Sequence, residues 1–189
     1  VHAVATLPAE RVVTASGDKT VRLWDLESGR ELLCLPEVVV ALCRAPGGRV
    51  ISLAVDGRMR QWDHHGERTL AALRPAPSPV HALVALPGGR LATATDEDEI
   101  AVWSLDSGQR IATLAGHRGR VHALATWPDG RLASASADRT VRVWDPDAGR
   151  CLAVVRGDAA HCSVTVTGPQ ELAAGDAIGN VWFLKLSGA

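Results

Sequence analysis

Tyrosine is absent from this 189-residue sequence, and phenylalanine and methionine occur once each. Six tryptophans therefore supply nearly all the aromatic content, so Trp is used at particular positions and not as general core filler. An excess of one charge is also lacking: 20 Lys and Arg stand against 21 Asp and Glu, a net charge of −1. That balance gives no basic field for nucleic acid or for an anionic membrane. No apolar run approaches the roughly 20 residues a spanning helix needs, and no signal-like segment opens the sequence. Paired cysteines are missing. Cys34, Cys43, Cys151 and Cys162 are isolated, without metal or redox spacing, and are expected to be small buried hydrophobes in a reducing, cytoplasmic compartment. No phosphate-binding Gly-rich loop, nucleophile elbow or paired-His metal motif occurs, so neither a cofactor nor an enzymatic reaction is expected. Hydrophobic residues make up 47%, enough to bury a sizeable core in a soluble chain.

What is present is a repeat. Trp24, Trp62, Trp103 and Trp144 are spaced by 38, 41 and 41 residues. Three are followed by Asp (Asp25, Asp63, Asp145) and the other by Ser104. At one fixed distance before each Trp stand Val1, Val39, Val80 and Val121; at another stand Pro8, Pro46, Pro87 and Pro128. Offsets that need no gaps mark copies of one structural module. Within the fourth copy the alternation is that of strands, at Val121–Trp127, Arg131–Ala137, Val141–Asp145 and Arg150–Arg156, with Pro and Gly confined to the turns. Small residues fill its second strand (Ala133, Ser134, Ala135, Ser136), which lets neighbouring sheets approach. Four short antiparallel strands every 38 to 41 residues describe a propeller blade. A worn fifth copy follows, with His161 at the Val121 position and Leu184 at the Trp144 position. Trp182 then falls where Arg142 does, and Ile178, not Asp176, takes the turn position.

These residues resemble the WD-repeat family over essentially the whole chain. Gly116-His117, then Leu132 to Asp138, then Val141-Arg142-Val143-Trp144-Asp145 follow the family pattern from end to end. The resemblance implies an all-β WD-repeat β-propeller of about five four-stranded blades, with the last one incomplete. The blades fall at approximately 1–37, 38–78, 79–119, 120–159 and 160–189. It also implies a buried tetrad of His117, Ser134, Asp138 and Trp144. Partial tetrads stand at Thr14, Asp18 and Trp24, at Ser52, Asp56 and Trp62, and at Thr93 and Trp103. Leu35 and Ala76 take the His place in the second and third units, and Glu97 the Asp place in the third. The family closes its ring with an N-terminal strand, so this chain is expected to be a fragment of a larger propeller. A closed five-bladed ring is the alternative.

Val-His-Ala recurs at Val1, Val80 and Val121, which puts His2, His81 and His122 at the start of an innermost strand, with Val40 and Cys162 in the matching places of the other units. That is the mouth of the central channel, on a face family members use for partners. With Arg118, Arg120 and Glu97 on neighbouring loops, these residues are the candidate partner-binding set. Metal binding by the mouth histidines is disfavoured. Packed sheets lie about 10 Å apart, whereas two imidazoles on one ion must each approach to roughly 2.1 Å. Asp96 to Glu99 is expected to be a solvated acidic turn, His64-His65 an exposed loop and Arg74 to Pro79 a stiff connector. Ser134, His117 and Asp138 superficially resemble a hydrolase triad, but buried and mutually satisfied groups offer no cleft for substrate. The expected function is a protein- or peptide-binding scaffold. The rivals are an enzyme or metal-binding propeller using the mouth histidines, and a purely architectural repeat. The stretch from Ala174 to Leu184 looks like the last blade of bacterial WD-repeat proteins that carry a signalling ATPase or kinase upstream. That likeness implies a sensor or regulatory module acting on upstream domains of the same polypeptide.

Overall fold

The computed structural model describes residues 1–45, 47–63, 66–72 and 80–186, and every regular element among them is a strand. Pro46, His64, His65 and the segment 73–79, which holds Ala76, lie outside the described residues. The first sheet is β1 (Ala3–Leu7), β2 (Arg11–Ala15), β3 (Thr20–Asp25) and β4 (Glu31–Pro36). The second is β5 (Val39–Ala45), β6 (Arg49–Ala54), β7 (Arg58–Asp63) and β8 (Gly66–Ala72). The third is β9 (Ala82–Leu86), β10 (Arg90–Ala94), β11 (Glu99–Ser104) and β12 (Arg110–Ala115). The fourth is β13 (Val121–Thr126), β14 (Leu132–Ser136), β15 (Thr140–Asp145) and β16 (Arg150–Arg156). The fifth has three strands, β17 (His161–Gly168), β18 (Glu171–Asp176) and β19 (Val181–Lys185). Strands run antiparallel in simple up-and-down order within each sheet.

Register explains why the repeat needs no gaps. Val12↔Trp24, Val50↔Trp62, Leu91↔Trp103 and Leu132↔Trp144 are the same cross-strand pair in four blades. Leu172↔Leu184 is that pair in the fifth. Each of the first four blades shows a register shift in its outermost pairing. In the first, third and fourth it falls next to the repeated Trp, between Leu23 and Trp24, Val102 and Trp103, or Val143 and Trp144. A bulge of this kind turns the strand locally and increases its twist. Trp127 lies just beyond β13, not within it as the alternation suggests. Its backbone turns there, with the Trp127 amide donating to Arg131 O at 2.9 Å and the Gly130 amide to Trp127 O at 3.0 Å.

The cores lie between blades. One cluster joins Val13, Val21 and Leu23 to Val50 and Trp62; the next joins Ile51, Leu53 and Met59 to Leu91 and Trp103. A third joins Leu86, Ile100 and Leu114 to Leu132 and Trp144, and a fourth joins Trp127, Val141 and Val143 to Leu172 and Ala174. Each inner sheet buries one face on the blade before it and one on the blade after, so stability is shared between neighbours. Among the described residues no such cluster joins the fifth sheet to the first. The outer face of β19 is correspondingly open, with Val181 and Phe183 exposed, Phe183 to 80%. Cys43 is buried as expected, and burial pushes its thiol up to about 12. Cys34 and Cys162 are exposed instead, Cys34 on the edge strand β4 and Cys162 on β17 of the end blade.

Candidate functional site

Blade four holds the most complete polar network among the described residues. Gly116 and His117 precede β13, Ser134 is on β14, Asp138 is in the β14–β15 turn and Trp144 is on β15. The Trp144 indole N–H donates to Ser134 Oγ at 2.8 Å, and the Ser134 hydroxyl meets His117 Nε2 at 2.7 Å. Because that oxygen already accepts from the indole, its hydrogen is available to Nε2. Nδ1–H of His117 then donates to Asp138 Oδ2 at 2.8 Å. Asp138 also accepts from the amides of Arg118 and Thr140 at 3.0 and 2.9 Å and from the Thr140 hydroxyl at 2.6 Å. Burial holds the His117 pKa below its ordinary value against the pull of Asp138, and the charge of Arg142 lowers it further. Burial opposes ionisation of Asp138, yet the hydrogen bonds from Thr140, His117 and the Arg118 amide outweigh it and keep this carboxyl well below the usual range.

Glycine is required at 116. Its φ is +151°, and an added Cβ would stand 2.9 Å from Arg142 Nη1 and 3.3 Å from the Trp144 ring. The Gly-His pair therefore lets the Arg142 and Trp144 side chains pass close beneath the loop.

The other blades keep part of the network. Trp24, Trp62 and Trp103 donate to Thr14, Ser52 and Thr93 at 2.8, 2.9 and 2.8 Å. Asp18 accepts from Thr20 and from Arg22, and Asp56 accepts from Arg58. Leu35, at the His place of the second unit, lies on β4 of the first sheet and packs against the core between blades one and two. Nearby, Glu37, 7% exposed, receives Arg60 Nε at 2.9 Å. The spacing gives no hint of that buried ion pair, because Glu37 lies in the loop between units.

Blade five assembles the same residue types from shifted positions. Trp182 Nε1 donates to Asp176 at 2.9 Å, and His161 stacks edge-on against Trp182 with centroids 5.9 Å apart, much as His117 meets Trp144 at 5.7 Å. His161 is fully buried, and neither ring nitrogen has a hydrogen-bond partner among the described residues. Burial lowers its pKa against the charges of Asp176 and Asp138. Asp176 is held at about 2 by the Trp182 indole, against some desolvation, and by the amides of Asn180 and Ile178 and the Asn180 side chain. The repeat pattern alone misses this cluster, since His161, Asp176 and Trp182 each stand off its signature positions.

The recurring histidines, at or next to the first strands of blades one, three and four, have different fates. His2 Nε2 donates to Val39 O of the second blade at 3.0 Å. His81 Nε2 donates to Asp96 at 2.6 Å, while Arg120, on the loop entering blade four, donates to His81 Nδ1. Arg120 also lies 3.9 Å from Asp96, so His81, Asp96 and Arg120 tie blade three to blade four. Both ring nitrogens of His81 are therefore in use, and metal ligation there would have to break one of these bonds. His122 makes no hydrogen bond to a described residue. Val40 is half-buried against the core between blades two and three. Glu97 and the Arg118 side chain are exposed. Among the described residues no group of three or more His, Cys, Asp and Glu side chains is placed to hold a metal ion.

Residues 1–25 match the family model for the WD domain, G-beta repeat, and residues 117–186 match the model for the TEP-1 C-terminal beta-propeller. Both matches, together with the repeated four-stranded sheets, support a WD-repeat β-propeller family for this chain. The two matches bracket it, one on the first blade and the other from His117 through blade five. No curated protein matches it. WD repeats generally mediate protein interactions and are generally non-catalytic. Among the described residues no helix is long and apolar enough to cross a membrane.

Proposed function

We propose that this propeller is a non-catalytic platform that binds a protein or peptide across the channel-mouth ends of its blades. The observation that carries the reading is a division of labour among polar groups. Ser134 and His117 are buried and Asp138 is half-buried, and these three groups, which could be mistaken for a triad, are spent on one another, on Trp144 and on neighbouring donors. Glu97, Arg118 and His122, whose side chains keep hydrogen-bonding capacity to spare, stand on adjoining blades. Rigid blades presenting separate polar groups over a common face suit recognition of an extended charged segment. The same architecture suits a sensor that restrains an upstream effector domain of a bacterial signalling protein in the cytoplasm.

Charge reversal tests the platform. A Glu97→Lys, His122→Glu double variant alters two exposed or half-exposed groups away from the hydrophobic clusters and is expected to keep the parent melting temperature. Affinity capture compared between parent and variant should lose specific partners. An identical partner set at equal recovery would contradict binding at this face.

A further inference from the structure

Two adjoining cavities of about 300 and 240 Å³ sit at the same end of blade four and share Asp138 and Arg156. Between them they are lined by four arginines: Arg118 from the loop before β13, Arg139 from the β14–β15 turn, Arg142 from β15 and Arg156 from the end of β16. Among the described residues Asp138 is the sole carboxylate in either lining, and both its oxygens are already taken by His117, Thr140 and the Arg118 amide. None of the four guanidinium groups has a carboxylate partner among the described residues. Arg142 has only the Thr140 hydroxyl, at 3.4 Å, and the Trp144 ring beneath it.

Blades one and two, which also carry an arginine at this place, show that this is a departure. At the register position of Arg142, blade one has Arg22, neutralised by Asp18 and Glu31 at 3.1 Å each, and blade two has Arg60, paired with Glu37. Blade four loses both of blade one's carboxylates. Cys151 stands opposite Trp144 where Glu31 stands opposite Trp24, and His117 occupies the Asp138 oxygen that corresponds to the one Arg22 takes from Asp18. Completing the tetrad thus frees the arginine above it. Arg139 adds a further guanidinium from the adjoining turn. Its φ is +64°, a left-handed conformation that blade one also gives to a basic residue, Lys19 at +66°, where the equivalent turns of blades two and five place Gly57 and Gly179. A non-glycine side chain there strains the backbone.

We infer that this arginine-lined hollow is an oxyanion site that takes the phosphorylated side chain of a partner peptide. Four planar donors without carboxylate acceptors match a dianion with three acceptor oxygens, which an arginine cluster recognises better than a single carboxylate. The hollow is small and local, and the chain as a whole is near-neutral, so a single phosphate fits it where a polyanionic backbone does not. The inference rests on the platform reading for the identity of its partner as a peptide.

The test titrates the whole chain with a degenerate phosphothreonine peptide library, the same library unphosphorylated, and inorganic phosphate as competitor. The phosphorylated library is expected to bind about tenfold or more tightly than the unphosphorylated one, to weaken as salt rises, and to be displaced by phosphate. Arg142→Gln with Arg156→Gln should abolish that preference. Arg139→Gly removes one guanidinium while relieving its turn, so it should weaken phosphopeptide binding with no loss of melting temperature. Equal binding of the two libraries, or a preference that survives all three substitutions, overturns the inference. Phosphate binding without any phosphopeptide preference also overturns it, because the site then serves a free anion. The Glu97 and His122 capture experiment uses neither phosphate nor these arginines, so its outcome separates failure of this inference from failure of the platform reading.

Discussion

Blades four and five carry the same three chemical groups, a histidine, an aspartate and a tryptophan, close to one another, yet only blade four satisfies all three. His117 donates and accepts, whereas His161, equally sequestered, does neither among the described residues. The difference lies in the serine. Ser134 sits between indole and imidazole and bonds both; the matching position on β18 is Ala174, paired with Trp182 itself. A buried network that is complete rigidifies its surroundings, while a partly satisfied one carries an unmet desolvation cost. Two arrangements of one residue set therefore differ in stability through a single hydroxyl and the positions it can reach.

The largest test removes the hub. Asp138→Ala strands His117, Thr140 and the Arg118 amide and is expected to cost about 1–3 kcal/mol. In a chain of this size that is a fall of roughly 2–4 °C in melting temperature per kcal/mol. Asp176→Ala, whose ligands reach solvent more readily, should cost distinctly less. Equal losses would break the contrast between the blades.

Histidine replacement sharpens it further. His117→Leu leaves Ser134 and Asp138 each short of a partner and should destabilise by about 1–3 kcal/mol. His161→Leu removes two buried nitrogens that bond nothing among the described residues, at similar volume, and should leave the denaturation midpoint unchanged or raise it. A comparable loss in both variants would mean that His161 has a partner after all.

The smallest effect is the pH dependence. Both histidines are depressed by burial, so each is neutral when folded and gains a proton on unfolding. The unfolded chain binds more protons below the ordinary histidine value of about 6.5, so stability should fall as pH drops through that value. The depressed carboxyls of Asp138 and Asp176 add a second loss below about pH 4, as they become protonated on unfolding. Urea midpoints between about pH 7.5 and 5 should fall less steeply in His161→Leu than in the parent.

How much of this was legible depends on whether position or proximity carried the information. The Trp spacing and the Val and Pro offsets locate four blades because a β-blade fixes cross-strand register, and Leu132↔Trp144 recurs wherever the module does. The blade-four network is readable for the same reason: each member stands at a set offset. His161, Asp176 and Trp182 are each displaced from those offsets, and their convergence is a property of side-chain reach that no repeat spacing encodes. The pairing of His81 with Arg120, and of Glu37 with Arg60, links residues of neighbouring units or of a loop with a strand. Likewise the arginine hollow is visible only once the carboxylates that neutralise Arg22 and Arg60 are seen to be either missing around Arg142 or, in Asp138, already taken by His117.

The most direct test of the account is residue-resolved hydrogen exchange of the indole N–H groups in a ¹⁵N-labelled chain. Trp62, Trp103 and Trp144 bond a buried hydroxyl between two blades, whereas Trp182 bonds a carboxylate in the end blade with its outer face uncovered. The three should exchange only through large-scale opening, and Trp182 markedly faster by local opening. Protection of Trp182 equal to that of Trp144 would contradict the claim that a complete polar network sets blade four apart from blade five.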